Sequence, residues 1–391
     1  MMKDRLSKRA SSIPPSGIRK LFDIVTEMED VISLGVGEPD FDTPWSIREE
    51  GIYSLEKGKT FYTSNAGLVE LREAVCNYYE RRFDLKYDYK EESLITVGGS
   101  EGLDLALRAL INPGDEILIA EPCFVSYQPC AYIAGGTPVS IPLKAENEFR
   151  ITPEEIEEKI TEKSKVLMIS FPTNPTGAVM RKEHLEAIAE VCIKHDLVVI
   201  SDEIYAELTY GDKHISIASL PGMRERTVII NGFSKAYAMT GWRMGYVLGP
   251  EDIVGLMTKI HQFAIMCAPT TSQYGALEAA NNCDADVEMM VRAYNQRRRF
   301  MVDGFRKMGL DCFEPEGAFY VFPSIEKTGL TSNEFAEQLL LDQQVAVVPG
   351  NAFGECGEGF IRCCYAYSVD ELKIALERIG IFVKKKLAEK A

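Results

Sequence analysis

One lysine and one arginine stand close together in the stretch Asn231-Gly-Phe-Ser-Lys-Ala-Tyr-Ala-Met-Thr-Gly-Trp-Arg243. The apolar run 227–230 before it predicts a buried parallel strand, so Lys235 follows a carboxyl end, where open α/β sheets bind ligands. A partly desolvated lysine loses basicity, and its free amine can condense with a carbonyl. Arg243 offers a rigid fork of donors suited to a phosphate dianion, and Ser234 adds a hydroxyl. The combination suggests pyridoxal phosphate held as a Schiff base on Lys235.

Two neighbouring strands are predicted to end in side chains that could meet the same ligand. The run 197–200 is followed by Asp202 and Tyr205, and the run 166–170 is followed by a proline-framed turn that carries Asn174. A buried carboxylate at a strand end needs a partner, which a pyridinium nitrogen or a local basic residue would provide. A Ser-Lys pair alone identifies no site, because most lysines are solvated surface charges, so these strand ends carry the argument.

Glycines mark two places where backbone could approach an anion closely. Residues 94–97 predict a strand, and Gly98-Gly-Ser100 then opens a helix, which offers free N–H groups and the positive end of the helix dipole. Gly35 and Gly37 similarly end an apolar strand. Both patterns also occur in turns that bind nothing.

The composition is that of an ordinary globular protein: 391 residues, 46% hydrophobic and 26% charged. A net charge of −16 disfavours nucleic acid and anionic membranes as partners, and the apolar runs fall short of the roughly 20 residues of a membrane span. No secretory signal is predicted in residues 1–12. The ten cysteines lack paired CxxC spacing, so we expect reduced core residues, no metal site and a cytoplasmic protein.

Predicted strands and helices alternate along most of the chain. Residues 18–28 have helical spacing, and residues 284–308 predict a long helix crossing between domains. Helix starts with a capping box are predicted at Thr152, Thr331 and Ser368. His184 and His195 bracket a further helix, where a surface or capping role is expected.

The candidate residues form an ordered set. Asn174, Asp202, Tyr205, Lys235 and Arg243 follow one another at spacings of 28, 3, 30 and 8 residues. With the flanking Asn-Pro-Thr-Gly, Asp-Glu-Ile-Tyr and Ser-Lys motifs, the set resembles the class I/II aminotransferases of pyridoxal-phosphate fold type I, over nearly the whole chain. The resemblance is strongest to archaeal aromatic and Bacillus-type acyl-diaminopimelate aminotransferases.

The resemblance implies a role for each residue around the cofactor ring. Lys235 would form the Schiff base and carry the proton between substrate carbon and cofactor. Asp202 would keep the pyridine nitrogen protonated, which makes the ring an electron sink. Asn174 and Tyr205 would hydrogen-bond the phenolate oxygen, and the ring of Phe124 would stack on the cofactor.

The resemblance also implies a phosphate site, a carboxylate site and a homodimer with shared active sites. The phosphate would be held by Gly99, Ser100, Ser234 and Arg243, with Tyr62 reaching it from the partner subunit. Arg362 would grip the substrate α-carboxylate bidentately, beside the backbone of Gly37.

The implied architecture is an α/β fold with a large domain and a smaller one. The large pyridoxal-phosphate-binding domain, with a mostly parallel seven-stranded sheet between helices, is expected over residues 49–298. A smaller α/β domain is expected from both chain ends: residues 1–48, including an N-terminal arm, and residues 299–391.

The expected reaction is ping-pong transamination of an L-amino acid, aromatic, aspartate-type or acyl-diaminopimelate, with 2-oxoglutarate as acceptor. Glu101 stands where a lysine often stands in the aspartate-preferring branch. A glutamate there would repel a second substrate carboxylate, so we expect a preference for uncharged or extended side chains over aspartate. The alternative is a carbon–sulfur β-lyase, which can use the same cofactor set. A non-catalytic regulator would need a DNA-binding domain, but only about 30 residues precede the first predicted strand, and the chain as a whole is acidic.

Overall fold

Strands and helices alternate along the chain in the computed structural model, which describes residues 5–14, 28 and 30–390. The helix predicted over residues 18–28 lies outside the described residues except for Met28. The described strands are β1 Ile32–Ser33, β2 Ser93–Thr96, β3 Glu116–Glu121, β4 Thr137–Pro142, β5 Ser164–Ser170, β6 Val198–Asp202, β7 Thr227–Gly232, β8 Gly245–Leu248, β9 Tyr320–Val321, β10 Val345–Ala346, β11 Val348–Pro349 and β12 Ile361–Cys364.

The helices connect these strands and cover them. The described α-helices are α1 Lys8–Ser11, α2 Trp45–Glu56, α3 Val69–Phe83, α4 Gly98–Leu110, α5 Tyr127–Ala134, α6 Pro153–Lys159, α7 Lys182–Lys194, α8 Glu251–Ala264, α9 Thr270–Asn282, α10 Asp284–Lys307, α11 Ser332–Gln343 and α12 Val369–Lys390. None of these helices is both long and apolar enough to cross a membrane.

The largest sheet has seven strands in the order β2-β8-β7-β6-β5-β3-β4. Its strands run parallel except β8, which is antiparallel to both β2 and β7. Alternate side chains of one strand enter different hydrophobic clusters: Ile117 and Ile119 pack with α4, whereas Leu118 and Ala120 pack on the other face. Both faces are therefore buried, as parallel sheets require, and the predicted mostly parallel seven-stranded sheet is confirmed.

Two smaller sheets are formed by strands from the C-terminal part of the chain together with β1 near the N-terminus. β11, β12 and β9 form an antiparallel sheet, and β1 pairs in parallel with β10, which brings the strand at residues 32–33 beside residues 345–346. A second core of buried residues, including Phe335, Leu339 and Phe382, packs around these strands. The predicted domain boundaries at residues 48/49 and 298/299 stay a prediction.

Local sequence signals account for several element boundaries. Thr152 and Thr331 accept hydrogen bonds from the backbone N–H groups three residues later, and the glutamates at those positions bond back, as the predicted capping boxes require. The same box is present at Ser368. The long α10 helix and the capping positions of His184 and His195 are also confirmed, and all ten cysteines are free thiols.

Candidate active site

The carboxyl ends of β5, β6 and β7 open into a cavity of about 550 Å³. This is the edge where parallel sheets present their loops to ligands. Eleven of the twelve predicted site residues line it: Gly37, Gly99, Ser100, Phe124, Asn174, Asp202, Tyr205, Ser234, Lys235, Arg243 and Arg362. The fold therefore brings together residues that are far apart in sequence.

Lys235 follows β7 and points its amine into the cavity. Its Nζ donates a hydrogen bond to the carbonyl oxygen of Gly37 at 2.7 Å. Burial lowers the pKa of Lys235 from its usual 10.5 to about 8, and the positive charges of Arg362 and Arg243 act in the same direction. A larger fraction of these amines is therefore uncharged and able to act as a nucleophile near neutral pH than for a solvated lysine.

Asp202 ends β6 and is held by two donors. Its Oδ2 accepts a hydrogen bond from the hydroxyl of Tyr127 at 2.6 Å, and its Oδ1 accepts one from the backbone N–H of Ile204 at 3.1 Å. Burial raises the pKa of Asp202, while the two hydrogen bonds oppose that rise. Tyr127 also lines the cavity, and sequence reasoning assigned it no role.

One end of the cavity is shaped for an anion. Helix α4 begins at Gly98, so the first-turn N–H groups are free of intrahelical partners. A Cβ at Gly98 would lie only 2.6 Å from Nη2 of Arg243, which shows how closely the guanidinium approaches the helix start. Arg243 is itself in the left-handed region, with φ of 55°, and its Nη1 donates to the carbonyl of Thr240 at 3.0 Å. A cation and a helix N-terminus thus face the same volume.

The cavity is also lined by the buried guanidinium of Arg362, from β12. Its Nη1 donates to Oδ1 of Asn174 at 2.8 Å, and its Nη2 donates to the carbonyl of Gly35 at 2.5 Å. Its Nε is buried without a hydrogen-bond partner in the described chain. The guanidinium lies over the rings of Tyr320 and Phe353, at 4.5 and 4.7 Å from their centroids. Such a rigid fork with an unused donor suits a carboxylate.

Tyr205 contacts a second tyrosine that sequence reasoning missed. Its hydroxyl lies 2.8 Å from the hydroxyl of Tyr320, and both side chains are buried. Tyr320 lies on β9, next to the strand that carries Arg362. The sequence signal was only an aromatic residue in a short predicted strand, which is far more often a core residue.

Tyr62 lies away from the cavity in the single chain. Its side chain is 80% exposed, and that of Phe61 is 81% exposed. The backbone around them is nevertheless anchored, because Thr270 donates to the carbonyl of Phe61 at 2.7 Å and Gln273 donates to Thr63 at 3.1 Å. A fixed loop thus presents two aromatic rings outward.

The expectation that Glu101 faces the substrate is wrong. Its Oε2 accepts a hydrogen bond from the backbone N–H of Val97 at 2.5 Å, and its Oε1 lies 2.8 Å from Nδ1 of the buried His261. Glu101 therefore caps its own helix and pairs with α8, and it does not line the cavity. The proposed repulsion of a second substrate carboxylate by Glu101 has no structural basis.

The cavity fits pyridoxal phosphate group by group. The cradle at Gly98 and Arg243 suits the phosphate, the low-pKa amine of Lys235 suits the aldehyde, and the carboxylate of Asp202 suits the pyridine nitrogen. The aromatic ring of Phe124 borders the same space.

The sequence and the fold match those of a known protein family. A family model described as "Aminotransferase class I and II" matches residues 29–379, and the chain belongs to that family. It is 52% identical over 384 residues to the Bacillus subtilis (strain 168) protein YugH, which is named as an aminotransferase without a stated substrate, with 98% of this chain and 100% of YugH covered. It is 46% identical to an aspartate aminotransferase of Pyrococcus abyssi (strain GE5 / Orsay), with 97% and 99% covered.

A solved structure gives the same result. The crystal structure of an aromatic aminotransferase from Pyrococcus horikoshii OT3 superimposes with a TM-score of 0.90 at 44% identity, covering 94% of this chain and 99% of that one. The predicted fold type I and the predicted aminotransferase activity are thereby confirmed. The two relatives with named substrates differ in them, so similarity alone does not identify the amino donor.

Proposed function

We propose that this aminotransferase uses pyridoxal phosphate to move an amino group from an L-amino acid to 2-oxoglutarate by a ping-pong mechanism. The observation that carries the proposal is the amine of Lys235, which has a pKa near 8 in one cavity with two arginines. Arg243 lies against an anion-binding turn, Arg362 offers a fork suited to a carboxylate, and the amine lines the same cavity. A small amino acid and a phosphate-bearing cofactor would together supply one anionic group for each arginine.

Pyridoxal phosphate, when bound, supplies an electron sink for the carbanion formed at the substrate α-carbon. The chain's own residues bind, orient and move protons. Lys235 Nζ is the base that takes the α-proton and later returns a proton, because it is the buried amine with a lowered pKa in the cavity. Asp202, oriented by Tyr127, holds the proton of the pyridine nitrogen by charge.

The remaining residues fix the positions of the two anions. Arg362 binds the α-carboxylate with its fork, and Asn174 keeps that fork in place through the 2.8 Å bond. Ser234, Ser100, the N–H of Gly99 and Arg243 hold the phosphate. Because the amino donor and the oxo acceptor both carry an α-carboxylate, the same arginine serves both half-reactions.

The donor is tested by a panel of phenylalanine, tyrosine, aspartate, N-acetyl-LL-diaminopimelate and cystathionine, each with 2-oxoglutarate. We expect a 2-oxo acid and glutamate in equal amounts with no free ammonia, because transamination conserves the amino group. A β-lyase would release ammonia and pyruvate from cystathionine without 2-oxoglutarate. Release of ammonia at the rate of substrate loss would overturn the transaminase assignment for that substrate.

We further propose that the enzyme is a homodimer in which Tyr62 completes the partner's phosphate site. Phe61, Tyr62 and Phe263 are each at least 80% exposed on an anchored part of the surface, which is unusual for aromatic side chains of a monomer. A two-fold contact would bury them and carry each Tyr62 toward the other cavity.

Mixed dimers test this exchange of residues. Lys235→Ala and Tyr62→Ala chains should each be weakly active or inactive alone. After unfolding and refolding at equal ratio, about one quarter of wild-type activity should return, because half the dimers are hybrids with one intact site of two. No recovery, with hybrids demonstrated by differently tagged chains, would show that Tyr62 does not serve the neighbouring site.

A further inference from the structure

Tyr320 contacts both Tyr205, which is proposed to bind the cofactor ring, and Arg362, which is proposed to bind the substrate carboxylate. Its side chain is 1% exposed, and its hydroxyl lies 2.8 Å from that of Tyr205. Among the described residues, this hydroxyl forms its hydrogen bond with Tyr205. The ring of Tyr205 stands edge-on to that of Tyr320, at 5.9 Å and 80°. The pair is therefore fixed in both distance and orientation.

The face of the Tyr320 ring supports Arg362. The guanidinium lies 4.5 Å from the centroid of this ring, and it also lies 4.7 Å from the centroid of the Phe353 ring. Contacts with two rings and two hydrogen bonds therefore hold the guanidinium plane in one orientation. Without these contacts the arginine side chain could change its orientation. Contacts of this kind help to hold a guanidinium in place, and most strongly where the pair is shielded from water.

Gly37 leaves the space that the Tyr320 hydroxyl occupies. A Cβ at Gly37 would clash with Oη of Tyr320, so the hydroxyl packs directly against the backbone whose carbonyl accepts from Lys235. The hydroxyl is thereby enclosed by Tyr205 on one side and the loop of Gly37 on the other. This close approach gives the glycine a specific role.

The direction of the tyrosine hydrogen bond follows from the number of protons. Burial raises the pKa of both Tyr205 and Tyr320, so each hydroxyl keeps its single proton at neutral pH. If Tyr205 donates its proton to an anionic oxygen in the cavity, it must accept from Tyr320. A chain of two hydroxyls ending on an anion strengthens each bond by roughly 10–30%.

We propose that Tyr320 is a positioning residue with two roles. Its hydroxyl donates a hydrogen bond to Tyr205 and so directs the proton of Tyr205 toward the cofactor's anionic ring oxygen. Its ring holds Arg362 in the plane that receives the substrate carboxylate. This inference rests on the proposed function. It gives one side chain two separable effects, one on the bound cofactor and one on the substrate carboxylate.

Two variants separate these effects. Tyr320→Phe removes the hydroxyl and keeps the ring, whereas Tyr320→Leu removes both. Tyr294→Phe is the matched control, because Tyr294 is also fully buried, its hydroxyl has no hydrogen-bond partner among the described residues and it does not line the cavity. Neither readout below depends on turnover.

The first readout is the pH midpoint of the visible absorbance of the purified holoenzyme without substrate. Tyr320→Phe should raise this midpoint by roughly 0.2–0.5 pH unit, because a weaker donor at the anionic oxygen lets the chromophore keep its proton to higher pH. The shift should vanish in a Tyr205→Phe background, since Tyr320 acts through Tyr205. An unchanged midpoint, or an equal shift in both backgrounds, would overturn the hydroxyl role.

The second readout is the dissociation constant of 3-phenylpropanoate, a carboxylate without an amino group, measured by its effect on the same absorbance. It should change less than twofold in Tyr320→Phe and rise roughly 3- to 30-fold in Tyr320→Leu. Equal weakening in both variants would refute the ring's role. If Tyr320→Leu does not fold, Tyr320→Met takes its place. Wild-type protein that lacks a visible cofactor band would instead contradict the proposed function.

Discussion

Replacement of Lys235 with alanine is expected to lower kcat/KM for every amino donor by about 10⁴-fold or more. The variant loses both the nucleophile that attaches the cofactor and the base that moves the α-proton, and proton transfer alone accounts for 10²–10⁴-fold. No described lysine other than Lys235 lines the cavity, so no neighbour can replace it. Turnover is measured with the best donor of the panel.

Borohydride reduction of the wild-type holoenzyme checks the attachment independently. Peptide mapping should find the reduced cofactor on Lys235 and no label in the alanine variant. Lys259→Ala is the matched control, because Lys259 is an exposed lysine on α8, and it should behave as wild type. Label on any other lysine in the wild type would contradict the assignment.

Asp202→Asn should bind pyridoxal phosphate and yet lose roughly 10³-fold in kcat. The amide is nearly isosteric, and Tyr127 can still donate to its oxygen as it does to Oδ2 of Asp202 at 2.6 Å. A neutral amide cannot hold the pyridine proton by charge, so the ring becomes a poor electron acceptor. Loss of one preorganised electrostatic group commonly costs 10²–10³-fold.

Cofactor content and single-turnover rate, measured on the same preparation, separate binding from chemistry. Asp252→Asn provides the control, because this aspartate is exposed in the first turn of α8. A variant at Asp202 that turns over like the wild type would remove this carboxylate from the reaction. A variant that simply fails to retain the cofactor would assign Asp202 to binding instead.

Sequence reasoning succeeded where a signal is local. The capping boxes at Thr152 and Thr331 are set by residues three positions apart. The apolar runs fixed β6 and β7, and strand ends of a parallel sheet meet at one edge, which placed Asp202 beside Lys235. The family resemblance then implied Arg362, which lines the same cavity.

Sequence reasoning failed where the partner of a side chain comes from a distant element. Tyr320 is 115 residues from Tyr205 in the sequence. It reaches Tyr205 because of the register in which β9 pairs with β12. Glu101 was expected in the cavity, but its helix turns it toward His261, 160 residues away. The residues near Glu101 in the sequence do not indicate a contact with His261, so residue types and spacings could not have predicted this pair.

The pairing of β2 with β8 sets the order in which the site is completed during translation. Thr96 precedes the glycine turn of the proposed phosphate site, yet its partner Gly245 is made 149 residues later. At roughly 5–20 residues per second, that interval is roughly 7–30 s. β8 is also the last strand of the large sheet in chain order, and Arg243 lies two residues before its first residue. On the ribosome, the turn and the arginine therefore meet only when the large sheet is otherwise fully synthesised.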